Sequence, residues 1–281
     1  MFDFVYDLGV GTLDRFVDDR LILGKATFSR EEAEASLPLT HDALTAALVR
    51  LAGRKRLVSP RKGFFLILRP EDQVTGAPDP ACWIDPLMQA LQLDYRVSLL
   101  RAAAFHGASH QAAMVFQVVV PRQLRGIELG RHRVDFLYQS PESFARANRP
   151  EALGRIKTNA GYARVAGVEL TLLDCTRYFH KAGGINTVAQ VAKDIGGKAE
   201  PRKLGQLGAA YETSCARRLG YLLERVGHAR QAKGLEQFAH KAKTFVPLDP
   251  SVKAVSSVLA TLAGKDSRWK LHLNENVEVD F

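Results

Sequence analysis

The sequence predicts an α+β fold in two parts. A small module of three helices and a hairpin spans residues 1–72, and a larger mixed α/β domain, predominantly helical in its C-terminal half, spans residues 91–281. Three observations predict it. At 281 residues the chain exceeds what one small module needs and suits two domains of ~100 to 200 residues each. Between Thr40 and Arg69 the hydrophobic period switches from helix to strand. Residues 70–85 are rich in Pro, Gly and acidic side chains, so a linker is expected over 73–90, with Trp83 as its anchor.

In the first part, Val10, Leu13, Val17 and Leu21 recur at helical spacing, with Asp14, Asp18 and Asp19 turned away. Ser29-Arg30-Glu31-Glu32 has the form of a capping box and opens a second helix with Ala33 and Leu37 inward, ended by Pro38. Thr40 caps a third helix in which Leu44, Ala47, Leu48 and Leu51 form one apolar stripe up to Gly53. The turn Ser59-Pro60-Arg61-Lys62-Gly63 then separates Leu57-Val58 from Phe64 to Leu68, where Phe64, Leu66 and Leu68 share one face and Phe65 and Ile67 the other. Three helices and a hairpin in this order make a winged helix-turn-helix.

Its charges point to double-stranded DNA. Arg50, Arg54, Lys55, Arg56, Arg61, Lys62 and Arg69 are unopposed by any acid between positions 50 and 69. The third helix would enter a major groove with Asp42, Thr45, Ala46 and Val49 at base edges, beside Thr40 and His41. Arg50, Arg54, Lys55, Arg56, Arg61 and Lys62 are expected at phosphates. A solvated basic hairpin is the alternative. The whole chain carries a net charge of +9, yet residues 1–72 hold eleven basic and eleven acidic side chains. The excess therefore lies further on, and a second basic surface is expected from Lys198, Arg202, Lys203, Arg217, Arg218, Arg225 and Arg230, facing nucleic acid or an acidic partner.

The second part opens with a helix expected from Asp94 to Gly107. Strands are expected at Ala113 to Val120, at Gly126 to Leu129 paired with Arg133 to Tyr138, and at Tyr162 to Val165, with a short helix from Pro141. A helix from Val168 runs towards Gly183-Gly184. Helical pattern then dominates over Ile185 to Ile195, Leu204 to Val226 and Leu235 to Ala242, before a strand-like close at Arg268 to Asn274.

Catalytic signatures are weak. His106 and His110 have the spacing of two metal ligands, but Gly107 breaks their helix and no Glu follows His106. Gly9-Val10-Gly11 and Gly196-Gly197-Lys198 each lack the rest of a phosphate-binding loop. Glu128 and Asp135, on adjacent expected strands, could serve a metal-dependent nuclease, though the lysine usual two residues after a strand acid is missing. No enzyme activity, cofactor or metal is expected. A nuclease delivered by the winged helix and a ligand-responsive regulator remain the alternatives. Cys82, Cys175 and Cys215 are isolated and read as reduced thiols, and the acidic N-terminus and lack of a long apolar run give a cytoplasmic expectation with no membrane contact.

The order of R-K-G-F-F-L-I-L, R-A-A-A-F-H-G (Arg101 to Gly107), G-V-E-L-T-L-L-D-C (Gly167 to Cys175) and R-W-K-L-H-L-N resembles the AbiEi-type antitoxins of abortive-infection toxin-antitoxin systems, which act in phage defence. Leu170 stands where that family often has Arg. The resemblance implies an N-terminal transcriptional repressor that binds inverted repeats in its own operon. It also implies a C-terminal domain that counteracts a nucleotidyltransferase-like toxin, and it leaves open direct contact with the toxin and self-association on the operator.

Overall fold

The computed structural model describes residues 12–108, 115–252 and 264–279. Contacts group the chain into two compact units: Met1–Asp94 with Gly126–Val134 and Ile156–Ala163, and Tyr95–Arg125 with Asp135–Arg155 and Arg164–Phe281.

The first unit holds helices α1 (Leu13–Ile22), α2 (Arg30–Ser36) and α3 (His41–Gly53) and strands β1 (Thr27–Ser29), β2 (Leu57–Arg61) and β3 (Phe64–Ile67), in sheet order β1-β3-β2. This is the expected winged helix. Val10 lies outside the described residues, and Thr12 caps α1 by accepting from the Arg15 amide. The capping box forms as the sequence implied: the Ser29 hydroxyl accepts from Glu32 N, and the Glu32 carboxylate accepts from Ser29 N at 2.7 Å. Leu13, Val17, Phe28, Leu44, Leu51 and Ile67 meet in one core, each contributing on the order of 1.5–3 kcal/mol by burial. Ile67 and Leu66 are both fully buried, so β3 is covered on both faces near its end rather than on one.

The stretch expected as a linker is packed. The Trp83 indole is buried and donates to the Pro78 carbonyl at 3.0 Å, and α4 (Ile84–Ala90) buries Ile84, Leu87 and Met88. Its prolines misled the reading of composition, because Pro86 stands in the first turn of α4, where an amide has no helical partner to lose.

A six-stranded sheet has the order β6-β7-β5-β4-β9-β8, from β4 (Arg96–Val97), β5 (Val115–Val120), β6 (Ile127–Leu129), β7 (His132–Tyr138), β8 (Leu153–Thr158) and β9 (Gly161–Ala166). Residues 126–134 and 156–163 of these strands group with the first unit. The helix expected from Asp94 starts only with α5 (Leu99–Phe105), because Arg96 and Val97 form β4, antiparallel to β5 and parallel to β9. α6 (Pro141–Ala147) follows β7, and β8 had no counterpart in the sequence pattern.

From α7 (Val168–Arg177) onward helices dominate, as expected: α8 (Ile185–Gly196), α9 (Pro201–Gly208), α10 (Thr213–Arg225), α11 (Ala229–Ala232) and α12 (Glu236–His240). The Leu204 to Val226 pattern divides into α9 and α10. Every residue of α7 from Glu169 to Thr176 is buried, which makes it the central helix of this unit. β10 (Val246–Pro247), β11 (Gly264–Asp266) and β12 (Leu271–Leu273) close the described chain as a small sheet. Just before β12 the buried Trp269 donates to Glu224 at 2.7 Å. Its ring lies on Gly220, where a Cβ would come within 2.1 Å.

Candidate nucleic-acid interface

Helix α3 separates its residues by face. Leu44, Ala47, Leu48 and Leu51 are buried, whereas Asp42, Thr45, Ala46, Val49 and Arg50 are exposed. Val49 is 67% exposed, so the outward face is not uniformly polar. Thr40 caps the helix by accepting from Ala43 N at 3.3 Å, and His41 begins it with an exposed imidazole.

Arg30, the second residue of the capping-box sequence, links three elements. Its amide donates to the Gly63 carbonyl in the wing turn at 2.8 Å, and its Nε donates to Glu34 at 2.9 Å. Its Nη2 lies 3.2 Å from both ring nitrogens of His41 and donates to Thr45 Oγ1 at 2.6 Å. The Thr45 hydroxyl in turn donates to the His41 carbonyl at 2.8 Å. No local pattern marks Arg30, since all but one of these partners are more than ten positions away.

The basic residues divide. Arg50, Lys55 and Lys62 are exposed, and Lys55 takes a left-handed backbone, φ 55°, immediately after the α3 cap. The wing turn closes at Gly63, φ 78°, a conformation that glycine adopts without strain. Arg54 and Arg56, expected at phosphates, pair instead with acids of α1: Arg54 with Asp14 at 3.4 Å and Arg56 with Asp18 at 2.5 Å. Such exposed pairs contribute only about 0–1 kcal/mol, which a phosphate can offset.

The second basic surface is only partly a surface. Arg217 is buried and donates to the carbonyls of Thr244 and Lys270 at 2.9 and 3.3 Å, so it anchors the closing strands rather than facing a partner. Arg218 donates to the Pro247 carbonyl at 3.0 Å, and burial lowers the pKa of both guanidinium groups. Lys198 is held by the His106 carbonyl and Lys203 by Glu200. Arg225 and Arg230 are exposed, and Arg202 lines an open concavity of about 580 Å³ with Lys233, Gln206 and Gln237.

Of the residues with metal-ligand chemistry, Asp135 and His106 have other partners. Glu128 stands opposite Arg133 in the β6–β7 register, and Asp135 pairs with Lys181 at 3.7 Å. His106 bonds the Ala166 carbonyl at 2.7 Å, while His110 and Gly9 to Gly11 lie outside the described residues. Among the described residues no group of three His, Cys, Asp or Glu is arranged for a metal, and no helix is long and apolar enough to cross a membrane.

The most concentrated polar chemistry is wholly enclosed. Arg96 on β4 is fully buried and grips Asp174 of α7 through two bonds of 2.8 Å. Asp174 also accepts from Ser98 at 2.6 Å and from the Tyr211 phenol at 2.7 Å. Arg96 further donates to Gln139 at 2.7 Å and stacks on Phe144. Burial disfavours its charge, but the Asp174 carboxylate more than offsets this and leaves its pKa above the ordinary value. With both partners at 0% side-chain exposure this is a structural joint, closed to substrate. In the first turn of α7, Glu169, followed by Leu170, accepts from the Glu200 amide at 2.8 Å at the start of α9.

Residues 96–225 match the model of the family described as AbiEi antitoxin C-terminal domain. Among solved structures, the crystal structure of the RV2827C protein from Mycobacterium tuberculosis is similar with a TM-score of 0.61 at 17% identity, covering 92% of this chain and 89% of that chain. At that identity the likeness is one of fold. No curated protein matches the chain.

Proposed function

From a chain whose residues 96–225 match the model of the AbiEi antitoxin C-terminal domain family, we propose that the protein is a non-enzymatic DNA-binding repressor and antitoxin. The winged helix binds double-stranded operator DNA and represses its own operon, and the remainder counteracts a nucleotidyltransferase-like toxin. The observation that supports DNA binding best is the outward face of α3. Its exposed Thr45, Ala46, Val49 and Arg50 stand opposite a fully buried leucine stripe, and the wing carries Arg61 and Lys62 at its turn. A helix of this kind fits a major groove, where Ala46 and Val49 suit thymine methyl groups, while the wing cations reach flanking phosphates.

The test is the salt dependence of binding to a duplex from the region upstream of the gene. Replacing Arg61 and Lys62 together by Ala should lower the slope of log K against log salt by roughly 1.8, at ~0.9 per phosphate contact. An unchanged slope removes the wing from the interface.

A further inference from the structure

Arg30 has no place in the recognition helix, yet its guanidinium lies on it. Thr45 occupies one of the exposed positions of α3, and its hydroxyl proton is already committed to the His41 carbonyl at 2.8 Å. The same oxygen accepts from Arg30 Nη2 at 2.6 Å. Thr45 therefore cannot donate to a base without breaking a bond on its own helix. The donor at this spot is the guanidinium: Nε is held by Glu34 at 2.9 Å and Nη2 by Thr45. Nη1 has no hydrogen-bond partner among the described residues. The side chain is 23% exposed, enough to present one edge while the rest is fixed. Its backbone amide, bonded to the Gly63 carbonyl at 2.8 Å, also ties it to the wing turn.

We infer that Arg30 is a base-reading residue of this interface, donating from guanidinium Nη1 to a purine acceptor, guanine N7 or O6, in the major groove beside Thr45. Resting on the DNA-binding reading above, the inference adds a hydrogen-bonding base contact to the apolar ones of Ala46 and Val49. Thr45 and Glu34 fix the guanidinium before DNA arrives, so little side-chain freedom is lost on binding. An arginine is needed for this role, because a lysine offers a point charge and cannot hold Glu34, Thr45 and a base edge at once. A phosphate contact, by contrast, would tolerate lysine.

The experiment is selection of the full-length protein and its variants on a pool of randomised duplexes, with affinities measured on the selected and on unrelated DNA. Wild type should select sites with a guanine at one defined position. Arg30→Ala and Arg30→Lys should both lose preference at that position, with discrimination falling ~10-fold. Thr45→Val, which removes the acceptor but keeps the helix, should weaken preference at the same position and serves if Arg30→Ala does not fold. Variants that keep the wild-type preference overturn the inference, as does rescue by Arg30→Lys, which assigns Arg30 to phosphate. A wild-type protein that selects no sequence overturns the DNA-binding reading as well, and that outcome is visible before any variant is compared.

Discussion

At the scale of single residues, the Arg96–Asp174 pair shows how much can hang on two charges. Both side chains have no exposure, so each charge is tolerable only because the other is there. Removing one strands the other in a poorly polarisable interior, at a cost of about 3–5 kcal/mol. Arg96→Met should therefore lower stability by that amount in denaturant titration. Combining it with Asp174→Leu should recover much of the loss, and losses that simply add would show that the pair is not coupled. None of this was legible in the sequence. In D-Y-R-V-S-L-L-R, Arg96 looks like any polar residue on a helix face, and Asp174 lies 78 positions away. Arg30 is hidden for the same reason, since its hydrogen-bonding partners in α3 come from the next helix. By contrast, Leu44, Leu48 and Leu51 were readable, because burial of one helix face leaves a periodic mark in the chain itself.

At the scale of elements, local chemistry governs the ends of helices. The Ser29 and Glu32 bonds satisfy amides at the start of α2, and Glu32 also receives the Arg20 guanidinium at 3.3 Å. Ser29→Ala should destabilise the first unit by about 1 kcal/mol, read as a lowered unfolding midpoint, and retention of the wild-type midpoint would show that the cap is dispensable. Cap, stripe and turn residues lie within a few positions of one another, which is why α2, α3 and the wing were foreseeable. β4 was not. Two residues make a strand only because β5 and β9 flank them, with Arg96 opposite Val119 and Val97 opposite Val165. α4 escaped because its packing overrode a composition that usually marks loops.

At the scale of the molecule, the enclosed acids of the second unit set how stability responds to pH. Burial pushes the Cys175 and Cys215 thiols and the Tyr178 and Tyr211 phenols well above their ordinary values, with Asp174 reinforcing the effect on Cys175 and both phenols. Above the ordinary range of about 8.5 for Cys and 10 for Tyr, the unfolded chain releases protons that the folded chain retains. The unfolded state then binds fewer protons, so stability falls as pH rises. It should be fully present below about pH 8, decline from about pH 8.5 as unfolded thiols ionise and fall more steeply past about pH 10, in denaturant titrations across that range. Tyr211→Phe should soften the decline, and stability that is flat or rising would contradict the burial of these groups. By itself the sequence determined the winged helix, the helical character of the later chain and the basic bias of residues 50–69, because periodicity, caps and charge runs act over a few residues. Only the tertiary structure decided that Arg54, Arg56 and Arg217 have protein partners, that Trp83 and α4 belong to a core, and that Arg30 lies across the recognition helix. Those outcomes depend on which distant side chains arrive at the same place, and nothing in the local pattern encodes that.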